Sequence, residues 1–198
     1  PPPYSSAASD VYKRQPLRLA SSRLLSCDIA DVCVGSSATE LLCSIAWAMS
    51  PREGTNVVST RSSFPSTVYP WARVADQNGA EIRLADHDEN LYTEPSELLS
   101  LIDESTSVVT VSHVEFSNGQ RYDLREISDA AHSVGARLVV DATQSMGMVP
   151  IDAYATNADA IVSSGYKWLR GTYGAAVGFI SPSFCLLYTS PSPRDRLK

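Results

Sequence analysis

A chain of 198 residues, 43% hydrophobic and 19% charged, carries enough apolar material for one globular domain with a true core. A net charge of −6 argues against a nucleic-acid partner, no apolar run approaches the ~20 residues that span a bilayer, and no secretory leader is visible. Four cysteines without a CxxC pair and three scattered histidines argue against a zinc site or a disulfide framework and fit a cytoplasmic location.

Residues 1–15, PPPYSSAASDVYKRQ, are rich in Ser, Pro and basic side chains without apolar periodicity. The same holds for residues 185–198, CLLYTSPSPRDRLK. Both are expected to be extraneous or disordered tails. The stretch between them, 16–184, begins and ends abruptly and reads as part of a domain from a longer protein.

Along that stretch, strand-like and helix-like runs alternate. The first strand is expected at Asp31–Val34. A helix follows over Ala38–Met49, where Ala38, Leu41, Leu42, Ile45, Ala46 and Met49 share one face. Ser37 and Glu40 form an S-x-x-E capping box at its start. Next come a strand at Asn56–Thr60 and a helix over Thr67–Gln77, stopped by Asn78-Gly79. Pro70 is placed there near the first turn, where proline is tolerated. A strand at Glu81–Ala85, a short helix after Thr93 and a strand at Ser107–Ser112 follow. The helix Leu124–Val134 is capped by Asp123 and ended by Gly135. Strands at Arg137–Asp141, Ala160–Ser163 and Ala175–Ile180 complete the series. Most strands are short and rich in Val and Ile, as strands buried on both faces tend to be. The expected fold class is α/β, a three-layer, mostly parallel sheet with helices on both faces.

In such sheets ligands bind outside the carboxyl ends of the strands. Phe64, Ser112, His113, Asp141, Gln144, Ser163, Ser164 and Lys167 all close or follow strands, so parallel strands would bring them to one edge. Ser37, Ala38 and Thr39 open a helix just after Gly35, where free N–H groups favour an anion. Taken alone, that segment is more simply an ordinary helix cap. Asp141 after Leu138-Val139-Val140 could cap a helix, bind a metal, or pair with a cationic ring nitrogen. Lys167 is the only lysine of residues 16–184, and a desolvated amine can form a Schiff base. Taken singly, it is more simply a surface lysine. Together the three features match what pyridoxal 5′-phosphate (PLP) requires: a held phosphate, a protonated ring nitrogen and a tethered aldehyde. G-x-S-x-G, a Walker A loop and a dinucleotide-binding glycine loop are all absent, which sets aside serine hydrolase and nucleotide-binding readings.

Residues 141–180, DATQSMGMVPIDAYATNADAIVSSGYKWLRGTYGAAVGFI, resemble the core of the class V aminotransferase family, within the fold-type I PLP enzymes. SSATE at 36–40, SFPSTVYPW at 63–71 and VSHVEFSNGQRYDL at 111–124 fit the same pattern. The resemblance implies that Lys167 is catalytic, forming the Schiff base and moving the substrate's α-proton. It implies that Asp141 pairs with the pyridinium nitrogen, Gln144 reaches the ring 3-hydroxyl and Phe64 stacks on the ring. Ala38, Thr39, Ser164 and Tyr166 would hold the phosphate. The implied substrate is an amino acid, handled by epimerase-, lyase- or transaminase-type chemistry, and the implied assembly is a homodimer of the full-length enzyme.

The departures from the pattern set expectations of their own. Cysteine desulfurases of this family carry His where Phe64 and Tyr166 stand, and Asn where Phe116 falls. Kynureninases carry His where Gln144 is. The nearest subgroup is therefore expected to be isopenicillin N epimerase-like, with cysteine desulfurase or selenocysteine lyase as the alternative. A truncated piece without catalysis is the second alternative. The C-terminal small domain, which in the family supplies an arginine for the substrate carboxylate, is expected to be absent from this chain.

Overall fold

Alternation of buried side chains builds the centre of the molecule. In the computed structural model, which describes residues 6–188, the runs Val57-Val58, Val108–Val111, Leu138–Val140 and Ile161-Val162 are almost wholly shielded from solvent. Val58, Val109, Val111, Leu138, Val140 and Ile161 face one apolar core, and their neighbours Val57, Val108, Val139, Ala160 and Val162 face a second. Period-two alternation thus feeds two cores, and two cores require a covering layer on each face.

The elements are α1 (Ser6–Leu24), β1 (Val32–Gly35), α2 (Ala38–Met49), β2 (Asn56–Thr60), α3 (Pro65–Asn78), β3 (Glu81–Ala85), α4 (Pro95–Ser100), β4 (Thr106–Ser112), α5 (Leu124–Ser133), β5 (Arg137–Asp141), α6 (Ala153–Thr156), β6 (Ala160–Ser164), β7 (Ala176–Ile180) and α7 (Pro182–Tyr188). The seven strands form one sheet in the order β1-β7-β6-β5-β4-β2-β3. The pairings β2–β3, β2–β4, β4–β5 and β5–β6 are parallel. Only β7 runs against its neighbours, β1 on one side and β6 on the other. The fold is the expected three-layer α/β arrangement with a mostly parallel sheet.

Leu98, Leu124, Ile127 and Ala131 cover the first core from α4 and α5. Leu42, Ile45, Ala46, Trp71 and Val74 cover the second from α2 and α3. Truncating a wholly buried side chain such as Leu42 to alanine costs about 2–5 kcal/mol.

Some local expectations change. Helix α3 begins at Pro65, two residues before the expected Thr67, because Pro65 supplies the preset φ of a first helical position. Pro70 is consequently the sixth helical residue and lies in the second turn, where its missing N–H leaves the Ser66 carbonyl without the usual donor. The Ser37 hydroxyl accepts the Glu40 N–H at 3.1 Å, as a capping box requires. The Glu40 carboxylate turns instead to the Ser36 N–H and hydroxyl, both at 2.6 Å. The first strand starts and ends one residue later than Asp31–Val34, and Ala175 lies outside β7.

Helix α1 includes Pro16 and extends back through residues 6–15. Its Arg18 guanidinium donates to the Val32 and Ile29 carbonyls at 2.9 and 2.7 Å, tying the helix to the β1 edge. Among the described residues no helix is long and apolar enough to cross a membrane.

Candidate functional site

Parallel strands β4, β5 and β6 end on the same side of the sheet, and the loops that leave them enclose a cleft of about 550 Å³ counted to its open mouth. The eight residues that the resemblance assigns to the cofactor line it: Ala38 and Thr39 at the start of α2, Phe64 before α3, Asp141 and Gln144 at and after the end of β5, and Ser164, Tyr166 and Lys167 at and after the end of β6. Residues scattered over 130 positions meet there because each strand end delivers its loop to one edge.

A line of polar contacts crosses the cleft floor. The Ala38 N–H donates to the Ser164 hydroxyl at 3.2 Å, and the Ser164 N–H donates to the Thr143 hydroxyl at 3.2 Å. The Thr143 N–H donates to Asp141 Oδ1 at 2.9 Å, and the Thr67 hydroxyl donates to Asp141 Oδ2 at 3.2 Å. Asp141 is 5% exposed, and among the described residues no cation pairs with it. Burial pushes its carboxyl above the usual carboxylate range, against the lowering pull of the hydrogen bonds from Thr143 and Thr67.

One wall is aromatic. The rings of Phe64 and Phe116 meet edge to face, with centroids 5.2 Å apart, and both are partly exposed toward the opening. In the loop after β6, Tyr166 stacks on Tyr173 at 4.4 Å, and the Lys167 ammonium lies 5.7 Å from the Tyr166 ring centroid. The Lys167 loop is drawn tight by its own backbone. The Gly171 N–H donates to the Gly165 carbonyl at 2.7 Å, and the Arg170 N–H to the Lys167 carbonyl at 3.0 Å. Gly147, at φ +95°, approaches this loop so closely that a Cβ there would come within 2.9 Å of the Trp168 carbonyl oxygen. The Trp168 indole N–H donates to Gln144 Oε1 at 3.2 Å.

His113 and Ser163 do not join the cleft, contrary to the expected convergence. Side chains alternate faces along a strand, so each points away from its cleft-lining neighbour, Ser112 or Ser164. His113 Nδ1 meets the Ser145 hydroxyl at 2.9 Å, and the ring lines a separate groove with Arg121 and Val149. Burial, aided by Arg121, holds the His113 imidazole down to about 4.

Sequence reasoning passed over Thr143, Thr67 and Glu115. Thr143 stands between Asp141 and Gln144, so its neighbours were the available signal. Glu115 gave none, since a carboxylate in a loop sequence reads as solvated. It is 1% exposed, and its Oε1 accepts the Ser63 hydroxyl at 2.8 Å and the Thr60 hydroxyl at 3.1 Å. Its Oε2 finds no hydrogen-bond partner among the described residues. Burial pushes this carboxyl up. Through Ser63 it joins the loop of Phe64 to the loop of Phe116.

The family model for Aminotransferase class-V matches residues 23–184. The chain is 29% identical over 177 residues to a probable cysteine desulfurase of Methanothermobacter thermautotrophicus, covering 89% of this chain and 44% of that protein. It is 33% identical over 138 residues to the kynureninase of Pseudomonas fluorescens, covering 68% of this chain and 32% of that one. In fold it is similar to a cystine C–S lyase solved with its product cysteine persulfide, at a TM-score of 0.83 and 23% identity, covering 96% of this chain and 52% of the lyase. A cysteine desulfurase of Escherichia coli superposes with a TM-score of 0.81 at 21% identity, covering 93% of this chain and 47% of that one. The chain thus spans about a third to a half of the length of the proteins it matches.

Proposed function

The chain belongs to the class-V aminotransferase family, and from that premise we propose that residues 16–184 form part of the PLP-binding large domain of an enzyme acting on an amino-acid substrate. The observation that carries this reading is Asp141, a buried carboxylate on the floor of an open cleft with no cation of its own among the described residues. A protonated pyridine nitrogen supplies the missing positive charge, and the buried carboxylate would keep that nitrogen protonated.

The remaining groups fit the rest of the cofactor. The N-terminal N–H groups of α2 at Ala38 and Thr39, with Ser164 and Tyr166, would hold a phosphate, since a helix start favours an anion. Phe64 offers a flat apolar face for the ring, and Phe116 holds Phe64 in place. Gln144 would bind the ring's phenolic oxygen. When bound, PLP supplies an electron sink for a bond broken at the substrate's α-carbon. Lys167, the only amine of residues 16–184, would tether the cofactor and then carry a proton to or from that carbon. The aromatic wall would shield the reacting side of the cleft from water.

Within the family, epimerase-, lyase- or transaminase-type chemistry is our reading. Cysteine desulfurase is the second reading, favoured by relatives of that name. Against it stands a cleft without an imidazole, because His113 faces the other way. We propose a homodimer for the full-length enzyme.

Addition of PLP should produce a visible absorption band, and borohydride should fix the cofactor to Lys167 in a peptide identifiable by mass spectrometry. Lys167→Ala should abolish both. A band that survives in Lys167→Ala, or no adduct on Lys167 in the unsubstituted chain, would sink the assignment.

A further inference from the structure

Gln144 lies in the cleft, yet its amide oxygen is already engaged, and the group that engages it leaves no choice of orientation. An indole N–H only donates. The Trp168 N–H at 3.2 Å therefore requires the Gln144 oxygen to face it, and the amide's NH2 to occupy the other branch. The backbone fixes this meeting. Gly147 at φ +95° lets the turn after β5 press against the Trp168 carbonyl. The hydrogen bonds from Gly171 to Gly165 and from Arg170 to Lys167 keep Trp168 from drifting with its loop.

We infer that Trp168 is a positioning residue: it sets the polarity of the Gln144 amide so that the cleft is met by a hydrogen-bond donor, one suited to an anionic phenolic oxygen. A freely rotating glutamine would offer its oxygen as readily as its nitrogen, and an oxygen facing a phenolate repels it. The inference rests on the PLP reading of the site and adds to it a residue that touches the cofactor only through Gln144. It also links the two loops chemically, since Trp168 directly follows Lys167 in the chain.

Two kinds of measurement test it. The first needs no cofactor. In the ¹⁵N–¹H spectrum, the indole resonance missing from Trp168→Phe identifies Trp168, and Gln144→Leu should move that resonance. The second is a pH titration of the visible PLP band. A donor to the phenolate favours the charged form, so Trp168→Phe should raise the pH midpoint. The same substitution should weaken PLP binding about three- to tenfold, the range of one hydrogen bond. Because Trp168 acts through Gln144, Trp168→Phe made in the Gln144→Leu background should add nothing further.

An unmoved indole resonance in Gln144→Leu overturns the inference, as does an unchanged midpoint in Trp168→Phe. So does an undiminished effect of Trp168→Phe in the Gln144→Leu background, which would show a merely structural role. Absence of any PLP band in the unsubstituted chain overturns the cofactor reading instead. The indole resonance then still decides whether Trp168 holds Gln144.

Discussion

Two buried aspartates stand at opposite edges of the sheet, and their surroundings differ. Asp159, 2% exposed just before β6, accepts from Arg137 Nη1 at 2.8 Å, His132 Nε2 at 2.8 Å and the Leu138 N–H at 2.9 Å. Asp141, 5% exposed at the end of β5, accepts one hydroxyl and one N–H and meets no cation among the described residues. The amino-terminal edge is electrostatically complete. The carboxyl-terminal edge is not, and an uncompensated carboxylate in the interior is costly unless something neutralises it. Under the proposed function, the contrast separates a charge kept for the fold from a charge kept for a ligand.

The comparison breaks most visibly at the complete edge. Asp159→Ala removes the partner of Arg137, His132 and the Leu138 N–H, and should cost about 3 kcal/mol in urea denaturation. The PLP affinity of the molecules that remain folded should not change. If affinity fell with stability, the two edges would not be independent.

Acid is the next probe. His113 is held neutral in the fold, down to about 4, while the unfolded chain recovers the ordinary value near 6.5. The unfolded chain therefore takes up the proton first. Stability from this group is present above pH ~6.5 and is lost as the pH falls toward 4, by about 3 kcal/mol in full. His113→Gln should flatten that part of a plot of unfolding free energy against pH. An unchanged slope would contradict the burial argument.

Asp141→Asn should show the reverse of Asp159→Ala. Folding stability should stay within about 1 kcal/mol, since a buried charge without a partner is replaced by a neutral amide. PLP affinity should fall about 10- to 100-fold, as expected for a lost charge-assisted hydrogen bond. Equal PLP binding in Asp141→Asn would remove the reason for reading this edge as incomplete.

Glu115→Gln should produce the smallest change. The raised Glu115 carboxyl contributes stability that is present below its unfolded pKa and lost as pH rises through its folded value. The glutamine variant should gain stability at neutral pH over the parent chain and lose that part of the pH dependence. A loss of stability at neutral pH would show that the ionised carboxylate is the preferred form.

Much of this architecture is written in local pattern. Val57-Val58, Leu138–Val140 and Ile161-Val162 announce strands buried on both faces, and β2, β3 and β5 fall on their expected residues. Asp141 is conspicuous because a carboxylate follows three apolar residues without a break. Lys167 is conspicuous because it is alone. Which face a strand-end residue takes depends on register and twist, so His113 points away from the cleft that its neighbour Ser112 lines. Thr67 reaches Asp141 only through the packing of α3 on the sheet, across 74 positions. Glu115 is buried by loops whose conformations depend on the finished tertiary structure. The grip of Trp168 on Gln144 likewise depends on two turns whose approach is set by Gly147.

The antiparallel strand β7 has a consequence for the order in which the chain can assemble. It is the neighbour that receives β1, with Val32 opposite Phe179. Strand β1 must therefore wait for β7, roughly 150 residues later in synthesis. At about 5–20 residues per second that interval is on the order of 7–30 s. During it β1 lacks the pairing with β7 that brings Ala38 to Ser164, 126 positions away. The lysine loop, by contrast, closes between adjacent strands β6 and β7 as soon as they exist. A nascent chain thus forms the half of the cleft that bears Lys167 within one local hairpin, while the half at the start of α2 joins only when β1 meets β7.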